Sequence, residues 1–170
     1  MRRSSLWNSI LFYHPEHRED PNVQQRLSTL YQNGSCKGYI SGHDKVVIRF
    51  PIGAKEIPRR VRVNDLATGN FIVDTGASFT TFSRKFAERL GVDQLPSAEI
   101  IVQTAAGISS ARRTTANLVD VEGLRASRVN IAILGSLSGD LDGLLGLSFL
   151  SRFEVHLDSA KGTLELVQHN

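Results

Sequence analysis

One acidic segment stands out in this 170-residue chain as a place where chemistry could occur: Phe71-Ile72-Val73-Asp74-Thr75-Gly76-Ala77-Ser78. It sets an aspartate directly behind three apolar, strand-forming residues. A carboxylate at the end of a buried strand is expensive unless the site exploits its charge, as acid–base work on a bound substrate does. Gly76 lets the backbone turn tightly and approach a ligand, and the Thr75 hydroxyl can fix neighbouring backbone. Asp-Thr-Gly by itself also suits a plain strand-ending turn, so the surrounding chain decides its meaning.

Competing chemistries have weaker footing. The histidines are His14, His17, His43, His156 and His169, and no cysteine pair supports a zinc-type spacing among them. His14-x-x-His17 lies in a polar, acidic stretch that reads as a solvated loop. Asp140 and Asp142 sit beside glycines, but the remaining ligands of a calcium loop are missing. Ser78 has no histidine placed by motif, and no Gly-rich phosphate loop occurs. The single cysteine, Cys36, cannot form an internal disulfide and reads as a small apolar filler. No metal and no cofactor are expected.

The elements that must position Asp74 are mostly strands. Val46 to Phe50 is β-rich and closed by Pro51 and Gly53, while Arg60 to Asn64 alternates with period two. Asp65 to Gly69 is expected to turn the chain into the strand Asn70–Val73. One helix follows, with Ser83 as N-cap, an apolar stripe of Phe86, Ala87 and Leu90, and Gly91 just past its end. Ile100–Gln103 and Ile108–Thr115 flank a turn at Thr104-Ala105-Ala106-Gly107, which predicts a hairpin. Asn117–Val121 and Ser127–Leu134 flank Glu122-Gly123 as a second hairpin, and Phe153–Leu157 with Thr163–Val167 make a third. Leu147 to Arg152 can turn into a short helix after Leu144-Leu145-Gly146. Short strands at this spacing predict an all-β barrel or sandwich.

Composition narrows the partners. Residues 1–50 hold 7 Lys/Arg against 4 Asp/Glu, whereas residues 51–170 hold 13 of each, so the whole net charge of +3 sits near the N-terminus. A balanced main body lacks the clustered cations that phosphate contacts require, and no nucleic-acid partner is expected. With 41% hydrophobic and 22% charged residues, the chain is neither disordered nor membrane-embedded as a whole. Met1-Arg2-Arg3 and Leu6 to Tyr13 imitate a signal peptide, but Asn8 and Ser9 interrupt the apolar run, and no small-x-small cleavage site follows. A soluble, cytoplasmic protein with no membrane partner is expected. Leu6, Trp7, Ile10 and Leu11, and then Val23 to Tyr31, recur at helical spacing, and Asn33-Gly34 reads as a stop. Residues 1–44 are therefore expected to be a partly helical extension on a main domain of residues 45–170.

Asp74-Thr75-Gly76-Ala77-Ser78 and, about seventy positions later, Leu144-Leu145-Gly146 bracket the Thr104–Gly107 hairpin tip. This ordered set resembles the retropepsin-like aspartic proteases, in particular the bacterial and retroelement-derived single-domain members, over about Arg59 to Val167. The resemblance implies a closed all-β barrel with one or two short helices. It implies Asp74 as the catalytic aspartate and Gly76 against the substrate backbone. Thr75 would make hydroxyl contacts that brace the paired loops of two subunits. Thr104, Ala105, Ala106 and Gly107 would form the tip of a flap over the substrate, and Leu144, Leu145 and Gly146 a support behind the catalytic loop. The first 50 residues match nothing assignable in that family.

Acid–base logic agrees with a dimer. Peptide hydrolysis without metal or covalent nucleophile needs one carboxylate as base for water and one carboxylic acid to polarise the carbonyl. Two carboxyls about 3 Å apart share a proton, as the aspartic proteases illustrate in general. The chain holds one Asp-Thr-Gly; the segments around Asp120 and Asp140–Asp142 lack the Thr-Gly, so the second aspartate must come from another copy. An aspartic endopeptidase acting as a homodimer on an extended polypeptide is the expected function. A dimeric peptide-binding or scaffolding module without turnover is the alternative. Pepsin-like relatives commonly carry a hydroxyl residue where this chain has Ala77, so the dyad is expected to keep its shared proton to higher pH.

Overall fold

The period-two pattern around Arg60 is realised as a strand whose Val61 and Val63 are fully buried while Arg60 and Arg62 face solvent. The computed structural model describes residues 40–104, 107–135, 137 and 139–169. The helices expected near Leu6–Leu11 and Val23–Tyr31, the Asn33-Gly34 stop and Cys36 lie outside the described residues, as do Ala105 and Ala106. The strands belong to a compact unit, Ile40–Asn170.

In chain order the elements are β1 (Ile40–Gly42), β2 (Lys45–Arg49), β3 (Pro58–Val63), β4 (Ala67–Val73), β5 (Thr80–Ser83) and α1 (Arg84–Leu90). A 3-10 turn (Val92–Gln94) leads to β6 (Ala98–Thr104), β7 (Gly107–Val121), β8 (Leu124–Leu134) and β9 (Gly143–Leu145). α2 (Leu147–Leu150), β10 (Phe153–Asp158) and β11 (Thr163–Gln168) complete the unit. Six strands close into a barrel in the order β8-β5-β9-β4-β3-β7, with β7 pairing back onto β8. The β5–β8 and β4–β9 pairs are parallel, and the other barrel pairs are antiparallel. β6 extends β7 as a hairpin, and β1, within the stretch assigned to the extension, pairs with β8. A separate antiparallel sheet, β10-β11-β2, buries Val46, Ile48, Leu164 and Leu166 on one face.

The all-β barrel with two short helices is as expected, and α1 has the expected ends. The Ser83 hydroxyl accepts from Phe86 N–H at 3.2 Å, and Gly91 closes the helix in the left-handed region. Its buried stripe brings Phe86 against Phe71 and Phe82 in three edge-to-face pairs with centroids 5.2–5.6 Å apart. Each fully buried Phe contributes about 2–3 kcal/mol of transfer free energy, and each pair roughly 0.5–1.5 kcal/mol more. This aromatic knot fixes β4, the strand that delivers Asp74, against β5 and α1.

Three expectations are corrected. The turn before β4 is Asn64–Leu66, shorter than Asp65–Gly69, because Asn64 and Asp65 both adopt positive φ (54° and 57°) and reverse the chain early. Gly69 is consequently a strand residue, where a Cβ would stand 2.7 Å from the Phe86 ring and 2.8 Å from Asp142. Ile108–Thr115 and Asn117–Val121 are not separate strands: β7 runs unbroken over 15 residues, its first half serving the β6 hairpin and its second half the barrel. Finally, β5 and β9 are strands where the sequence carried no strand signal.

Candidate active site

Asp74 follows β4, and its position is set by β9 lying parallel beside that strand. Phe71, Ile72 and Val73 register with Gly143, Leu144 and Leu145, and Asp74 N–H then donates to the Leu145 carbonyl at 3.0 Å. On the other side Val73 N–H donates to the Ile57 carbonyl at 3.0 Å. Gly76 N–H donates to Asp74 Oδ1 at 2.9 Å and Ala77 N–H to the Asp74 carbonyl at 3.3 Å, so the loop folds back around its own aspartate. Asp74 and Ala77 are half-buried, whereas Thr75, Gly76 and Ser78 are exposed. The loop therefore presents its Thr-Gly edge outward.

The loop is stitched to the segment after β9. Leu147 N–H donates to the Ala77 carbonyl (2.8 Å) and Ser148 N–H to the Ser78 carbonyl (3.1 Å). Thr80 N–H donates to Ser148 Oγ at 2.8 Å, and Gly146 N–H to Thr80 Oγ1 at 3.3 Å. Gly146 is needed for this approach: a Cβ there would stand 2.3 Å from the Phe79 carbonyl oxygen and 2.7 Å from that of Ala77. Gly143 is equally confined, its Cβ position lying 2.2 Å from the Phe71 ring and 2.3 Å from the Thr81 carbonyl oxygen. Leu144, Leu145 and Gly146 are thus brought directly against the Asp74 loop, with Leu145 and Gly146 buried.

Sequence reasoning missed several residues of this lock. Ser148 and Thr80 carry no motif signal, since a hydroxyl in a short segment is common anywhere. Asp142 was visible only as an incomplete calcium-loop residue, yet its Oδ2 accepts from Asn70 N–H at 2.9 Å and its carbonyl from Ser83 N–H at 2.8 Å. Its Oδ1 lies 3.6 Å from Arg89, whose guanidinium also stacks over the Phe86 ring at 4.9 Å. Asp142 thereby pins the entry of β9 to β4 and α1.

The β6–β7 hairpin carries the expected flap residues. Thr104 pairs with Gly107, and Thr104 Oγ1 donates to the Gly107 carbonyl at 2.8 Å; Gly107 has φ +118°, a conformation that favours glycine. Ala105 and Ala106, the expected tip, lie outside the described residues. Ile101 and Ile108 stand on the outer face with more than 75% exposure. On the inner face Ile100 and Val102 join Phe79, from the Asp74 loop, and Leu137 in packing over buried Ala111, Ala132 and Leu134. These half-buried side chains form an apolar patch that links the loop to the hairpin.

Among the described residues no cluster of three or more His, Cys, Asp or Glu could hold a metal ion, and no helix is long and apolar enough to cross a membrane. In the other acidic segments, Asp142 is held as described and Asp120 by Arg125 Nε at 2.7 Å and Gly123 N–H at 2.9 Å.

A closed barrel with an Asp-Thr-Gly loop braced by Leu-Leu-Gly defines an aspartyl protease, a hydrolase of retropepsin-like fold. The aspartyl protease family model matches residues 60–149, more than half of the chain, and the chain belongs to that family. It is similar to a solved retropepsin-like aspartic protease from Rickettsia conorii, with TM-score 0.58 and 26% identity, over 78% of this chain and 94% of that one. No curated protein matches the chain.

Proposed function

We propose that the protein is an aspartic endopeptidase that acts as a homodimer, with Asp74 of each protomer forming one shared site on a two-fold axis. The observation that carries the reading is the setting of Asp74. Its backbone is pinned to Leu145, one carboxylate oxygen is held by Gly76 N–H, and its Thr75-Gly76 edge is exposed on a protomer with one such motif. A lone carboxyl cannot be both base and acid in the same step, so a second Asp74 is required. In the dyad, the ionised Asp74 takes a proton from water as the oxygen attacks the peptide carbon. The protonated Asp74 gives its proton to the carbonyl oxygen, producing a neutral gem-diol. Collapse of that intermediate breaks the C–N bond, the nitrogen taking a proton from one carboxyl while a hydroxyl proton returns to the dyad.

In this reading the exposed Thr75 braces the paired loops, Gly76 lies against the substrate backbone, and Thr104 to Gly107 close over it as a flap. Leu144, Leu145 and Gly146 hold the loop in place. The substrate binds extended, by main-chain hydrogen bonds. Residues 45–170 make the protease domain, residues 1–44 are an extension to it, and the setting is cytoplasmic. The test is turnover of a denatured protein by wild type and Asp74→Asn. The substitution removes the shareable proton at almost constant volume, so hydrolysis should vanish while the melting curve stays in place. Substantial hydrolysis by a folded Asp74→Asn protein removes Asp74 from the mechanism.

A further inference from the structure

The inner face of the hairpin does not end at the apolar patch. Ile100 and Ala111 form one cross-strand pair on that face, and the next same-face pair away from the flap tip is Ala98 and Arg113, with Arg113 also registered on Ala132. A recess of about 490 Å³ opens there, lined by Pro96, Ala98, Arg113, Thr115 and Asn130. The Thr114 hydroxyl donates to the Pro96 carbonyl at 3.0 Å and ties the segment before β6 to β7, giving the recess a fixed wall. One face therefore runs from apolar side chains beside the Asp74 loop to a polar recess holding a guanidinium.

We propose that Arg113 forms a subsite for an acidic side chain of the peptide substrate, beside the apolar patch on the same face of the hairpin; this rests on the protease reading of the Asp74 loop. Arg113 is exposed and makes no ion pair or side-chain hydrogen bond among the described residues. The adjacent Arg112 is committed, donating to the Asp93 carbonyl at 2.8 Å. Glu99 registers with Arg112, one residue out of phase with Arg113, so strand alternation places it on the opposite face. Thr115 Oγ1 and Asn130 Oδ1, 3.4 Å apart, line the recess with hydrogen-bonding groups, and a guanidinium suits a carboxylate in two-pronged contact. Same-side residues of an extended chain recur every ~6.6–7 Å, which is also the spacing between successive same-face pairs of the hairpin. A substrate with an apolar side chain on that patch can thus bring the side chain two residues away to Arg113.

The test uses the full chain and peptides with a fixed apolar residue, exchanging Glu for Gln at one outlying position at a time. The wild type should cleave the Glu peptide with about fivefold higher kcat/KM at one such position, the scale of a partly exposed ion pair. The preference should weaken with salt. Arg113→Glu should reverse it in favour of Lys. Equal cleavage of Glu and Gln peptides at every position by the wild type, or a preference unchanged in Arg113→Glu, overturns the subsite and leaves the protease reading standing. Absence of Asp74-dependent cleavage of any peptide or denatured protein overturns that reading and the subsite with it.

Discussion

Gly146→Ala tests the packing behind the catalytic loop. The backbone of Gly146, at φ −97° and ψ −174°, is open to any residue, so conformation alone favours alanine by about 0.4–1 kcal/mol through the unfolded state. The obstacle is space. An added Cβ would lie 2.3 Å from the Phe79 carbonyl oxygen, 2.6 Å from the Phe79 carbonyl carbon and 2.7 Å from the Ala77 carbonyl oxygen. All three atoms are backbone, and ordinary contact begins at 3.4 Å, so the loop from Ala77 to Phe79 must retreat by about 1 Å. Overpacking of this kind costs roughly 1–3 kcal/mol, and the bonds of Leu147 and Ser148 to that loop strain with it. Set against the gain through the unfolded state, the net loss should be about 1–2 kcal/mol, a fall of roughly 3–10 °C in melting temperature for a domain of this size. A displacement of about 1 Å beside Asp74 should also lower kcat by about a hundredfold. Thermal melts followed by circular dichroism, with turnover measured well below the transition, give both readings. Gly135→Ala is the stability control, since nothing lies within 4 Å of its Cβ position and its φ is not in the left-handed region. If Gly146→Ala melts within about 1 °C of the wild type and keeps full turnover, the close approach of the two segments is wrong.

Other outcomes follow from single contacts. Ala77→Ser should move both limbs of the activity profile to lower pH, because a hydroxyl donating to the dyad favours its ionised form; an unchanged profile with the dimer intact means the hydroxyl does not reach the carboxyl. Arg125→Met should destabilise the domain by about 1–2 kcal/mol, since it strips buried Asp120 of its 2.7 Å partner, and adding Asp120→Asn should restore part of that in denaturant unfolding. Asp158 is held below the ordinary carboxylate range by the Lys161 side chain and N–H. A depressed folded-state pKa means that its small stabilisation is present above the unfolded value and lost as pH falls through the folded one. NMR titration should show the Asp158 carboxyl moving up in Lys161→Ala, and no movement would deny the ion pair.

What the sequence revealed was what local signals encode. Ser83, Phe86, Ala87, Leu90 and Gly91 specify α1 through capping and spacing within nine residues, and the structure follows them to the cap. The β6–β7 hairpin and the strand ahead of Asp74 were likewise legible from alternation and turn residues. β5 and β9 were not. Their three or four residues are too short to display a period, and their partners are distant: Thr80–Ser83 against Ile131–Leu134, Gly143–Leu145 against Phe71–Val73. Gly69 read as a turn because its real reason, the Phe86 ring and Asp142 pressing on the strand, exists only in the folded chain. The same holds for Ser148, Thr80 and Asp142, ordinary polar residues whose value is their partner across the barrel. Arg113 carries no signal of its own within Ile108–Thr115, and only register places it beside the apolar patch.

Whether two protomers share one site is tested most directly by mixing wild-type and Asp74→Asn chains in rising proportion at constant total concentration, well above dimer dissociation and after subunit exchange. A dyad that needs Asp74 from both chains makes activity fall as the square of the wild-type fraction, so equal mixing leaves about a quarter of the starting activity. A linear fall, with about half remaining at equal mixing, would mean that each chain carries a complete site, contradicting the shared one.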